Sequence, residues 1–117
     1  MCDKLFNYIL NNNEFIIGDT VEKILYCCYN LGYKPDDENN EYNNNLLFNY
    51  SINIINRDFN YMTGLSIIQA CLALCFYKKL SDSLINRVFN IDFIKRLEDE
   101  IKMCYSKVII IKFFYLF

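Results

Sequence analysis

The pattern of hydrophobic and polar positions changes within the stretch Thr63 to Tyr105 and predicts two different kinds of helix. Its first part, Leu65 to Phe76, is apolar on nearly every side, whereas its last part, Asp92 to Tyr105, is apolar on one side only. A helix that is apolar all round is buried, and a helix with one apolar face covers it. We therefore expect the rest of the chain to pack on this pair.

The N-terminal part predicts two further helices. Apolar residues recur at helical spacing from Asp3 to Asn11, which indicates a short first helix. The second helix is expected to start at a cap formed by Asp19 or Thr20, because a side-chain oxygen there accepts an N–H of the first turn. Gly32 is the expected left-handed end of that helix, and Pro35 prevents its continuation.

Polar and apolar segments alternate after the second helix. Lys34 to Asn45 is polar and low in complexity, so we expect a loop. Leu46 to Asn56 then predicts a third helix, and Asn60 or Thr63 is expected to cap the buried helix. Beyond it, Ser81 is the expected cap of a short helix that precedes the last one.

These elements amount to five or six helices, and the predicted fold class is all-α. The chain has only 3 glycines and 1 proline, whereas β-sandwiches and barrels use many such turns. The segment Leu25 to Asp36 is faintly echoed by Leu72 to Asp82, about 45 residues later, which is close to the period of repeats built from helical pairs. The predicted architecture therefore includes the possibility of α-solenoid-like helical pairs.

Length and hydropathy predict one domain. A chain of 117 residues fits a single helical domain, which we place at residues 1–107. Residues 108–117 form an apolar tail that is too short to span a bilayer and is interrupted by Lys112. We expect no membrane span.

The charge balance limits nucleic-acid binding to a local surface. The formal net charge is -2, so the whole molecule presents no field that would favour nucleic acid. If the two short helices after the buried one pack antiparallel, some of their basic residues share one edge and meet phosphates. A plain solvated surface is the simpler interpretation of the same residues. The candidate RNA-contacting residues are Lys78, Lys79, Arg87, Lys95 and Arg96.

The sequence provides no residues for catalysis, cofactor binding or metal binding. The chain has no histidine, so it cannot form a Ser–His or Cys–His pair, and a zinc site would need four of its 6 cysteines. It contains no glycine-rich phosphate-binding motif and no protein-kinase signature. The acidic run Asp36 to Glu38 is interpreted as a solvated turn, and the cysteines as free thiols in a reducing compartment. We expect no cofactor and no enzymatic activity.

The segment Ile68 to Ile101 carries a distinctive helical pattern. It consists of an apolar helix, a short polar joint, a helix ending in Val-Phe, and a start of the form Asp-Phe-Ile-x-x-Leu-Glu. The residues that carry it are Leu84, Ile85, Val88, Phe89, Phe93, Ile94, Leu97 and Glu98. This pattern resembles the FAST kinase-like leucine-rich region of the FAST kinase domain protein family.

The resemblance implies a function that composition and spacing do not. Proteins of this family are longer, are mitochondrial and act in RNA processing and stability, and they carry a C-terminal RAP domain. A mitochondrial location, RNA as a partner, and the remaining helices of a longer protein as a second partner follow from the resemblance. It also implies that the chain is a fragment or a truncated member.

One alternative assigns the chain to the small viral Bcl-2-like helical proteins. The near-apolar Thr63 to Tyr77 would then be the central helix, and a groove would accept an amphipathic partner helix. The Asn-Trp-Gly-Arg type signature of that family is absent. Stacked helix pairs would favour the first interpretation, and one helix ringed by the others would favour this alternative.

Overall fold

The computed structural model describes residues 1–35 and 41–102, and this part of the chain is helical without strands. The prediction of an all-α fold with five or six helices is confirmed. Three predictions lie outside the described residues: the acidic run 36–38, the apolar tail 108–117, and the last turn of the final helix at 103–105. The helices are α1 (Cys2–Asn11), α2 (Gly18–Asn30), α3 (Glu41–Asp58), α4 (Gly64–Phe76), α5 (Asp82–Val88) and α6 (Ile91–Ile101).

The buried helix predicted from the hydrophobic pattern is α4. None of its residues is exposed, and Ile67, Ile68 and Leu74 are fully buried. It packs most extensively against α2 and also contacts α6. The Thr63 side chain accepts a hydrogen bond from the Ser66 amide, so Thr63 is the cap of this helix.

The expected loop Lys34 to Asn45 is shorter than predicted. Helix α3 begins at Glu41, so the prediction is wrong for residues 41–45. Asparagine costs only a few tenths of a kcal/mol in a helix relative to most residues. Leu47 and Phe48 are buried and fix the second turn of α3 on the core, and the polar turn before them continues that helix.

The cap predicted for α2 is also wrong. The helix begins at Gly18, one residue before the predicted caps Asp19 and Thr20, and Ile17 occupies the cap position without a side-chain hydrogen bond. Instead, the carboxylate of Asp58 at the end of α3 accepts a hydrogen bond from the Gly18 amide over 2.7 Å. A carboxylate 40 positions away in the sequence therefore accepts the hydrogen bond that a local cap residue would normally accept.

The same arrangement recurs at α4. This helix also has 13 residues and begins at Gly64, and both oxygens of Glu100 on α6 lie 2.9 Å from the Gly64 amide nitrogen. A Cβ on Gly64 would lie 2.6 Å from Leu97, and a Cβ on Gly18 would lie 2.6 Å from Met62. Each glycine thus allows a later segment to approach the start of its helix.

The ends of α2 and α4 also match. Gly32 follows α2 with φ 68°, which confirms the predicted left-handed stop, and Lys78 follows α4 with φ 59°. In both cases the next amide bonds to the carbonyl five residues earlier: Tyr33 donates to the Cys28 carbonyl and Lys79 to the Leu74 carbonyl. The starts of α2 and α4 lie 46 positions apart, and so do the left-handed residues that follow them. The faint sequence echo therefore corresponds to two structural units, whose inner helices are α2 and α4.

Lys78 is the only described non-glycine residue with a positive φ, and this position offers a stability test. A side chain in the left-handed region costs roughly 1 kcal/mol that glycine avoids. We expect Lys78→Gly to raise the free energy of unfolding in urea by about that amount. The matched control is Lys79→Gly, whose φ is not positive and which should not stabilise the protein. Equal effects of the two substitutions would contradict this account of the α4 end.

No helix in the described ranges is both long and apolar enough to cross a bilayer.

Candidate nucleic-acid interface

The two short helices after α4 form the frame of the site. The Ser81 hydroxyl accepts a hydrogen bond from the Leu84 amide and caps α5, as predicted, and Asn90 accepts from the Asp92 amide and caps α6. The apolar faces of both helices are buried. Residues from both helices line one cleft together with Phe59 and Asn60 of the turn that joins α3 to α4.

Phe59, in that turn, is the centre of the site. Its side chain is buried and its ring packs against Phe93 of α6 with 5.2 Å between centroids. The guanidinium of Arg87 lies 3.9 Å from the Phe59 centroid, and that of Arg96 lies 5.5 Å from the same centroid and 5.0 Å from Phe93. Two cationic side chains thus meet over an aromatic pair, where ring faces attract positive charge.

Arg87 is oriented by the end of α3. Its Nη1 donates to the Asn56 carbonyl oxygen over 2.7 Å and to the Asn56 side-chain oxygen over 3.2 Å. These bonds and the contact with Phe59 fix the plane of the guanidinium. Within the described ranges the hydrogen bonds of Arg87 all use Nη1, so its other N–H groups remain available to a ligand.

Within the described residues, the Arg96 side chain is fixed by fewer hydrogen bonds than that of Arg87. Its Nε lies 3.7 Å from Glu100 Oε2, the carboxylate that also accepts from the Gly64 amide. Nε and Nη2 are buried and have no hydrogen-bond partner in the described part of the chain. Both N–H groups are shielded from solvent, so Arg96 acts on a ligand in the cleft through its positive charge.

The arginines open onto a cleft of about 400 Å³. Amide side chains surround it, and these present both donors and acceptors to a ligand. The cleft carries two positive charges and one negative charge, so it is locally cationic although the chain is acidic overall. Its lining comprises Phe59, Asn60, Asn86, Arg87, Asn90, Asp92, Phe93 and Arg96.

The other candidate residues do not join this cleft. Lys79 donates to the side-chain oxygen of Asn45 near the start of α3, whereas Arg87 contacts Asn56 near its end. These positions are separated by about 16 Å of helix. Lys78 and Lys79 are exposed and line a different cleft of about 310 Å³, with Lys34.

Lys95 stands apart from both clefts. It is exposed on α6, next to Arg96 in sequence but outside the residues that line the arginine cleft. The structure therefore brings together two of the five candidate residues, places two at the opposite end of α3, and leaves one on the outer surface of α6.

Sequence reasoning missed the centre of the cleft. Phe59 falls between the predicted third helix, which ends at Asn56, and the buried helix, yet the guanidiniums of Arg87 and Arg96 both pack on its ring. An aromatic residue in a short polar linker was the one available signal. Asn86 and Asn90 gave no signal, because asparagine is abundant throughout this chain.

Two buried thiols in the described part of the chain, Cys28 and Cys71, are not activated as nucleophiles. The described cysteines are free, as predicted, although Cys27 is exposed. Burial raises the pKa of Cys28 to about 12, with a further contribution from neighbouring Cys2, and burial raises the pKa of Cys71 to about 12. Both thiols are therefore protonated at neutral pH, whereas a nucleophilic cysteine requires the thiolate. The described residues contain no His, Cys, Asp and Glu cluster that could hold a metal ion.

The fold and the cleft together define a class of protein. It is an all-α module of matching helical units, with a cationic, amide-lined cleft beside α5 and α6. The family model described as FAST kinase-like protein, subdomain 1, matches residues 21–98, about two thirds of the chain. The chain therefore belongs to the FAST kinase-like protein family, and the predicted kinship is confirmed. This match supports the first interpretation of the sequence over the Bcl-2-like alternative. Comparison with curated proteins and with solved structures finds no match.

Proposed function

We propose that this chain is a non-catalytic helical module of a protein that acts in mitochondrial RNA processing or stability, and that its arginine cleft contacts single-stranded RNA. Membership of the FAST kinase-like family supports the proposal at the level of the family. The observation that carries it is the pairing of Arg87 and Arg96 over Phe59. The remaining helices of a longer protein are the expected second partner.

The cleft suits one unstacked nucleotide better than a duplex. Single-stranded RNA can present a base to an arginine plane, and asparagine side chains hydrogen-bond to base edges. Arg87 is already held against Phe59 by its contact with the ring and its bonds to Asn56, so a base that stacks on its guanidinium needs little reorganisation. Arg96 lines the same cleft, so its positive charge then meets the adjacent phosphate.

Fluorescence anisotropy with a labelled single-stranded RNA tests this proposal. The unmodified protein should bind with a salt-dependent affinity, and each lost phosphate contact should reduce the salt slope by about 0.7. The double variant Arg87→Gln, Arg96→Gln should lose roughly tenfold in affinity or more. Arg87→Lys keeps the charge but loses the planar group, so it should weaken binding without changing the slope.

The matched control removes the same charge from the other end of α3. The double variant Lys78→Gln, Lys79→Gln should bind RNA nearly as well as the unmodified protein. Circular dichroism verifies that each variant is folded. Absence of salt-dependent RNA binding by the unmodified protein would overturn the proposed function, and an equal loss in both double variants would overturn the assignment to this cleft.

A further inference from the structure

A second surface lies where the two structural units meet, at the turns before α2 and α4. These turns match closely: the amides of Phe15 and Ile16 bond to the Asn12 carbonyl, and those of Tyr61 and Met62 bond to the Asp58 carbonyl. In each turn the aromatic residue faces solvent and the next residue is buried. Phe15 is 84% exposed and Tyr61 is 88% exposed.

Phe15 and Tyr61 occupy matching positions in the two turns and are exposed to a similar extent, so this edge differs from a surface with scattered exposed apolar residues. Large apolar side chains that are exposed together mark interaction sites. Ile17 extends the same apolar surface, because it is 57% exposed and lines one cleft together with Tyr61.

That cleft holds about 230 Å³ and has both apolar and acidic walls. Ile17 and Tyr61 are its exposed apolar residues, and Met62 is buried beneath them. The carboxylates of Asp19 and Asp58 complete the lining, with the backbone of Gly18 between them.

The charge of this edge is negative. Hydrogen bonds from Arg57 and from the Gly18 amide hold the pKa of Asp58 below its usual range, so Asp58 is ionised at neutral pH. Arg57 is committed to Asp58 and to the Ile16 carbonyl, and it offsets the charge of Asp58 alone. Asp19 remains in the cleft, and Glu14 is exposed in the turn before it. An anionic ligand is repelled here and a cationic one is attracted.

We propose that this cleft binds a lysine or arginine side chain from an extended basic and apolar segment of a partner protein. The aliphatic stem of that side chain packs on Ile17 and Met62, and its cation meets the Tyr61 ring and the Asp19 carboxylate. Apolar residues flanking the cation pack on Phe15 and Tyr61. This surface is separate from the arginine cleft, and its function does not depend on RNA binding.

A fluorescein-labelled peptide of alternating leucine and arginine is the probe for this surface. The unmodified protein should bind it, and Tyr61→Ala or Asp19→Asn should each weaken binding by roughly tenfold. Tyr42→Ala is the matched control, since Tyr42 is 75% exposed on α3 and should leave binding unchanged. RNA binding should be unaffected by Tyr61→Ala, which separates the two proposals.

Two further peptides distinguish docking from charge attraction. A peptide in which glycine replaces every leucine keeps the charge and should bind roughly tenfold more weakly, and a peptide in which glutamate replaces arginine should not bind. Equal binding of the leucine and glycine peptides, or unchanged binding by folded Tyr61→Ala and Asp19→Asn variants, would overturn the proposal.

Discussion

Leu74→Ala is expected to lower the free energy of unfolding by about 3 kcal/mol. Leu74 is fully buried in α4, the helix on which α2 and α6 pack. Truncation removes its transfer free energy and leaves a cavity that helices packed on both sides do not fill. A loss of this size is a large fraction of the stability of a domain of this length, so the midpoint of urea denaturation should fall markedly.

The matched control for Leu74 is Leu31→Ala. Leu31 is 60% exposed at the end of α2, where truncation removes little buried surface. We expect a change within about 0.5 kcal/mol. If the two substitutions had similar effects, α4 would not be the centre of the core.

The second large effect is expected from Glu22, whose protonation makes the free energy of unfolding depend on pH. It lies on α2 at the position that corresponds to Ile68 on α4, and it is only 4% exposed. Burial, and to a smaller extent the negative charge of Asp19, raises its pKa from 4.5 to about 7. A carboxylate therefore occupies a position where the second unit places a fully buried isoleucine.

The sign of the pH effect follows from proton binding. Between pH 4.5 and about 7 the folded chain keeps the Glu22 proton while the unfolded chain releases it, so this group makes stability fall as pH rises. The contribution is complete above about pH 7 and is roughly 3 kcal/mol. Glu22→Gln removes the titration, so its stability relative to the unmodified protein should rise by that amount between pH 4.5 and pH 8.

Urea denaturation at a series of pH values measures this difference. Glu14→Gln is the control, because Glu14 is exposed and should not change the pH dependence. Parallel pH profiles for the unmodified protein and Glu22→Gln would contradict a protonated, buried Glu22.

The parts of the fold that depend on local sequence were predictable. The all-round apolar pattern of α4, the cap at Thr63, the cap at Ser81 and the left-handed stop at Gly32 each involve residues within a few positions of one another. Their energetics are those of a single helix or turn, so spacing and residue type were sufficient to place them.

The parts that depend on distant contacts were not predictable. The start of α2 is capped by Asp58, and the approach of Met62 requires Gly18 to lack a side chain. In the sequence this glycine has no visible role, and the nearby Asp19 is the better local cap. The equivalence of Gly18 and Gly64 became evident only once the carboxylates that reach them were located.

The candidate site also has one part that local sequence predicts and another that depends on distant contacts. The basic residues after α4 were predicted as one group because they are close in sequence. The length of α3 separates Lys79 from Arg87, since these residues contact opposite ends of that helix. Phe59, which brings Arg87 and Arg96 together, precedes α4 and was outside the segment that suggested RNA contact.

Heteronuclear NMR of the arginine Nε–H groups during titration with single-stranded RNA tests the central claim most directly. The account predicts that the signals of Arg87 and Arg96 shift together and saturate at the same RNA concentration, while the backbone signals of Lys78 and Lys79 stay in place. Shifts confined to Lys78, Lys79 and Lys34, with both arginine signals unchanged, would contradict it.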